Sequence, residues 1–186
     1  GLKAHEIDAL ERQWNLRFPE DYRHFLAILN APDCGMYSVG WSDDPPYGMV
    51  ESDDGPSFYD WRGDKDVLDD ALARPLDGLL FDVENDSLWP DSWGQKPQEA
   101  AIKDTLSRLV STAPKLLPIF GHRYLLGHPV KAGNPVLSVW QSDIIVYGSD
   151  LRHYLILEFS DLLGIAHDDL YELCTAAVTA DDIAAI

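Results

Sequence analysis

His122 and Arg123 stand side by side in "FGHRYLLGHPV" (residues 120–130), in the most apolar and strand-rich part of an otherwise acidic chain. An imidazole titrates near neutrality and a guanidinium grips carboxylates or phosphates, so the pair has the ingredients for proton transfer or anion recognition. Proton transfer also requires an orienting partner and a nucleophile or substrate within reach. Asp143 and Ser138, on neighbouring predicted strands, are the residues available for those roles. The chain carries no GxSxG, no HExxH and no glycine-rich phosphate loop. No catalytic residue is therefore assigned. The pair is read either as a turn whose polar groups serve the sheet or as a contact point, because an arginine among tyrosines and tryptophans has the composition of an interface hot spot.

Other chemistry is weaker in the sequence. His122 and His128 are six residues apart, and neither a Cys nor a carboxylate completes a known ligand spacing around them. "DVENDS" (82–87) has the alternating acids of a calcium loop, but Ser87 stands where that loop needs glycine and Trp93 where it needs its bidentate Glu. No metal or cofactor is expected. Trp89, Trp93 and Trp140 are able to stack on ligand rings or to pack. Tyr59 and Trp61 lie in "SDDPPYGMVESDDGPSFYDWRGD" (42–64), a long acidic and aromatic stretch without sustained period, read as a loop or insertion and as a candidate contact surface.

The elements that position these residues follow from periodicity. Ile7, Leu10 and Trp14 recur at helical spacing. Pro19 suits a first helical turn that Glu20 and Asp21 favour, and Phe18, Tyr22, Phe25, Leu26 and Leu29 form the stripe of a second helix ending near Asn30. Val67, Leu68, Ala71 and Leu72 predict a short third helix, and "GLLFDVE" (78–84) reads as a strand. A further helix is predicted over about 98–112, with Ala101, Leu106, Leu109 and Val110 on its apolar face. "LLPIF", "RYLLG", "PVLSVWQ" and "DIIVYG" then read as a meander of short strands. Asp150 caps a last helix running to Gly164, and "DDLYELCTAAVTADDIAAI" (168–186) is helical in propensity. Helices first, a mainly antiparallel or mixed sheet next and a closing helix make this an α+β single domain over residues 1–186.

Charge limits the partners. Of 186 residues, 14 are Lys or Arg and 32 are Asp or Glu, a formal net of -18. Such a field opposes nucleic-acid backbones and anionic membranes and steers a basic protein partner inward. Cys34 and Cys174 form no CxxC, and no apolar run approaches membrane-spanning length, so a reducing cytoplasm is expected. Gly1, in place of Met, reads as a remnant of tag cleavage.

"IDALERQWNLRFPEDYRHFLAILNAP" resembles the N-terminal signature of the SUKH superfamily of Smi-Knr-type domains: an Ile-x-x-Leu-Glu helix, a Phe18-Pro19 step, then Asp-Tyr-Arg-x-Phe-Leu and a closing Asn, here followed by Ala31 where Gly is usual. "GLLFDVENDSLWPDSWGQKP", "LLPIFGHRYLL", "GNPVLSVWQSDIIVYG" and "DLRHYLILEF" are similar to a bacterial branch of that superfamily. The resemblance implies an α+β fold and, for many bacterial members, an immunity protein that binds and neutralises a secreted toxin, frequently a nuclease or other basic enzyme. It brings no catalytic residue set. His122, Arg123 and Tyr124 fall on its GHRY position, and Gln141 and Asp143 on its Q-x-D position. The reading that follows is a non-enzymatic protein-binding module meeting a basic toxin domain. The alternatives are a small-ligand-binding protein or hydrolase-like enzyme using a pocket of His122, Arg123 and Asp143, and a housekeeping interaction scaffold.

Overall fold

A computed structural model describes residues 1–31, 38–42, 48–52, 57–63 and 65–165, with 38–42 and 48–52 described by their backbone. Residues 43–47 and 53–56 of the acidic stretch, both cysteines and the C-terminal stretch 166–186 lie outside the described residues.

The two predicted N-terminal helices form as α1 (Ala4–Gln13) and α2 (Glu20–Leu29). Ile7 and Leu10 of α1 and Tyr22 and Leu26 of α2 are buried together with Leu2, Leu16 and Phe18 in the main core. Leu29, placed on the apolar stripe by its spacing, is instead 48% exposed. Glu11 is a buried charge, and its partners explain how it is tolerated. Its carboxylate accepts from the Phe18 amide (2.8 Å) and pairs with Arg23 (2.9 Å), which also holds Asp8 (2.6 Å), so α1, the inter-helix turn and α2 are tied at one point.

The stretch read as a loop (42–64) begins at the last residue of one strand, β1 (Ser38–Ser42), and contains a second, β2 (Gly48–Ser52), which pairs antiparallel with it. Five-residue strands among prolines and glycines give too short a period to be read from sequence. Residues 57–63 then return to the core. Trp61 is 2% exposed, lies edge-on to Phe18 at 4.8 Å, and donates its indole N–H to the Tyr22 hydroxyl (2.8 Å).

The largest correction concerns "GLLFDVE". It is the second half of one 20-residue helix, α3 (Lys65–Glu84), not a strand. Leu68, Ala71 and Val83 are buried, with Leu76, Leu79 and Leu80 packed partway between them, a spacing of three and four that continues through the supposed strand. Pro75 sits inside the helix and has no N–H to give to the Ala71 carbonyl, the acceptor one turn back. The Tyr124 hydroxyl donates to that carbonyl instead, at 2.9 Å, so a residue from the sheet repairs the gap.

Helix α4 (Ile102–Val110) follows two 3-10 turns, Asp91–Trp93 and Glu99–Ala101. Ile102 and Leu106 form its buried face, while Leu109 is 38% exposed, and with Val83 they make a second, smaller core. The meander forms as expected: β3 (Leu116–Phe120), β4 (Arg123–Leu126), β5 (Val136–Trp140) and β6 (Asp143–Gly148), in sequence order and wholly antiparallel. Asp150 caps α5 (Leu151–Glu158) by accepting from the His153 amide at 2.7 Å. The helix stops at Glu158, short of the expected Gly164: among the described residues Phe159 is the last buried one, and Leu162 and Leu163 are about 60% exposed. The fold is α+β.

Candidate functional site

The β3–β4 turn is made by Gly121, in the left-handed region at φ 52, and His122. Their polar groups are claimed from three directions. The Gly121 N–H donates to the Ser57 carbonyl (3.2 Å), while its own carbonyl accepts from the Tyr59 hydroxyl (2.8 Å) and from Arg74 of α3 (3.2 Å). Arg74 also donates to the Tyr59 oxygen at 3.0 Å.

Arg123 points under the sheet toward α5. Its Nη1 donates to the Ser138 hydroxyl on β5 (2.9 Å) and also contacts His122 Nε2. Its guanidinium lies 3.9 Å from the centre of the Tyr147 ring, a close cation–π contact, and its Nε is 3.7 Å from Glu158 of α5. Arg123 and Glu158 have side chains only 12% and 13% exposed, so their charges face each other out of water. A guanidinium has no acceptor, so the imidazole nitrogen facing it must be the lone-pair nitrogen of a neutral ring. Burial lowers the His122 pKa, and the positive charges of Arg123 and Arg74 lower it further against the opposing pull of Glu158. His122 is thus a neutral acceptor for Arg123.

From sequence, Asp143 and Ser138 are the residues available as partners for this histidine. In the structure Asp143 is exposed at the start of β6, opposite Trp140, and the carboxylate paired with Arg123 is Glu158. Ser138 joins the cluster, but as a hydrogen-bond acceptor for the arginine. Glu158, Tyr147 and Arg74 had no local sequence signal; each reaches the turn from a different element.

Tyr124 is fully buried with its hydroxyl on Ala71, and burial pushes its pKa up to about 12. Gln141 is the first residue of the two-residue β5–β6 turn, at φ 56. That turn is pinned on α3: Asp82, buried, accepts from the Ser142 amide at 2.9 Å. A side-chain carbon at Gly78 would fall 2.9 Å from the Gln141 Cα, so only glycine permits this approach. Asp82, first of the calcium-like acids, is thereby a turn anchor. Among the described residues no group of three or more His, Cys, Asp or Glu side chains is placed to hold a metal ion.

The tryptophans separate. Trp89 and Trp93 meet edge to face at 5.4 Å against the smaller core, and Trp89 donates to the Gly94 carbonyl (2.7 Å). Trp61 is core, and Tyr59 is half-buried on the turn. Trp140 remains 63% exposed, its ring 5.9 Å from that of His122, and on the adjacent strand Ile144, Ile145 and Val146 are 46%, 52% and 67% exposed. The pair at the turn therefore borders an apolar surface on β6. Two open clefts lie elsewhere: one of about 650 Å³ along Asp8 to Arg17, the other of about 300 Å³ between α1 and Trp61–Leu68. No helix among the described residues is long and apolar enough to cross a membrane.

Compared with known proteins, the chain matches the family model described as the SMI1 / KNR4 family (SUKH-1) over residues 1–121. No curated protein and no solved structure matches it.

Proposed function

The chain belongs to the SMI1 / KNR4 family (SUKH-1), and from that premise we propose that it is a non-enzymatic protein-binding module of the cytoplasm, an immunity protein that neutralises a basic toxin domain. The observation that carries the reading is the charge. A net of -18 on a domain of 186 residues gives a field that draws in a cationic partner and presents carboxylates where a nuclease takes phosphates. The His122–Arg123 pair supports the non-enzymatic side. Its imidazole is neutral and faces a guanidinium, and the carboxylate nearest the pair neutralises that guanidinium, so the groups are arranged to hold a turn to α5.

The test is co-expression with each toxin-like domain that a reading frame next to this gene is found to encode, scored by cell survival, with binding of each purified pair measured at low and high salt. Survival together with affinity that falls as salt rises is the expected result. If none of those toxins is bound or neutralised, the reading fails.

A further inference from the structure

Among the described residues, the outer edge of β6 leaves backbone donors and acceptors beside exposed apolar side chains. With a two-residue turn, Trp140 and Asp143 form the hydrogen-bonded pair that closes the hairpin. Antiparallel pairing then alternates, so Ile145 bonds to β5 through Ser138, whereas the N–H and C=O of Ile144 and Val146 face away from β5. The register shift lies between Val136 and Leu137, beyond this stretch, so residues 143–146 run regularly. Among the described residues no strand pairs with that edge.

Its side chains suit an added strand. Ile144 and Val146 lie toward one face of the sheet, Ile145 and Trp140 toward the other, and all four are exposed. The strand "DIIVYG" has no Lys or Pro, the residues that usually blunt an open edge. Asp143 at its start and the net of -18 decide between occupants. A second copy would bring an equal negative charge to the same edge, whereas a segment alternating basic and apolar residues meets both the charge and the side chains.

We propose that β6 is a docking edge that takes an extended, basic and apolar segment of a partner protein as a fifth, hydrogen-bonded strand. The proposal rests on the protein-binding reading above and names the surface and the segment that reading lacks.

The probe is a synthetic peptide alternating lysine and valine, matched to β6 in length, added to the full chain. Binding should weaken with salt and slow hydrogen exchange at Ile144 and Val146. Val146→Pro removes an outward N–H without touching the ladder to β5, a position where proline is tolerated, and should weaken binding about tenfold. The same peptide N-methylated on alternate residues should fail on the unaltered protein, which keeps the test valid if the proline variant does not fold. Undiminished binding by Val146→Pro or by the methylated peptide, no binding of the parent peptide, or a dimer of the free chain that Val146→Pro abolishes would each overturn the edge assignment. A toxin bound in the co-expression test as tightly by Val146→Pro as by the parent would overturn the edge alone and leave the immunity reading intact. Loss of every toxin interaction with the peptide result retained would do the reverse.

Discussion

The two edges of the four-stranded sheet are treated in opposite ways. On β3, Pro118 has no N–H to offer, the Tyr22 hydroxyl takes its carbonyl (3.0 Å), and the Tyr59 amide takes the carbonyl of Ile119 (3.1 Å). Phe58 bridges to Phe120 and fills the space above, its ring 5.1–5.6 Å from those of Phe25, Phe120 and Phe159. On β6 nothing comparable is found among the described residues, and three consecutive apolar side chains stand in solvent. An open edge is an aggregation hazard that proteins normally suppress. The contrast is that, among the described residues, the means to close an edge are applied to β3 and not to β6. The closed edge belongs to folding, and the open one is the edge proposed above for a partner strand.

The contrast is tested first where the effect is largest. Phe58→Ala removes the aromatic cover of β3 and opens a void between α2, β3 and Phe159; it is expected to cost about 3 kcal/mol, read by chemical denaturation. If it costs no more than a surface substitution, β3 is not closed by this segment. Tyr22→Phe is the next step down. It leaves the Pro118 carbonyl and the Trp61 indole N–H without their buried partner, a loss of about 1–3 kcal/mol with the packing intact. On the open edge, Ile145→Lys should move stability by no more than about 0.5 kcal/mol. A large loss there would mean that β6 is part of the core and that the two edges are alike.

How far this was legible follows from what each feature depends on. The four strands were readable because runs of Val, Ile, Leu and Tyr broken by Gly, Pro and Asn allow few other structures. "GLLFDVE" was not, because a short run that is apolar throughout suits either period and Pro75 looks like a stop. The reason it is no stop is a hydroxyl 49 positions along the chain, on Tyr124. At the candidate site, His122 and Arg123 announced themselves as a pair, but Glu158, Tyr147 and Arg74 arrive through strand order and helix docking, which local spacing does not encode. The openness of β6 was hidden for the same reason: whether a strand is an edge depends on the order of the sheet. Its apolar run reads as core until the neighbouring position is seen to be empty among the described residues.

The smallest predicted effect lies where the closed turn meets the open strand. His122 has a folded pKa below its ordinary 6.5, first because it is buried and then because Arg123 and Arg74 repel its charged form. For a base, a lowered folded pKa means that the unfolded chain takes up the proton first. Above 6.5 both states are neutral and the histidine contributes no pH dependence. As pH falls through 6.5 toward the folded value the unfolded state gains protons that the folded state refuses, and stability declines; below the folded value the loss is complete and constant. Asp21, whose pKa is raised by burial, runs the other way: stability is regained as pH drops through its folded value toward 3.8. His122→Gln keeps an acceptor for Arg123 and cannot take up a proton, so it should flatten the decline just below pH 6.5 while leaving the Asp21 recovery in place. Unfolding curves at successive pH values for both proteins measure the difference. An unchanged slope would mean that Arg123 does not hold the ring neutral, and the β3–β4 turn would lose its claim to be a fixed joint beside the open edge.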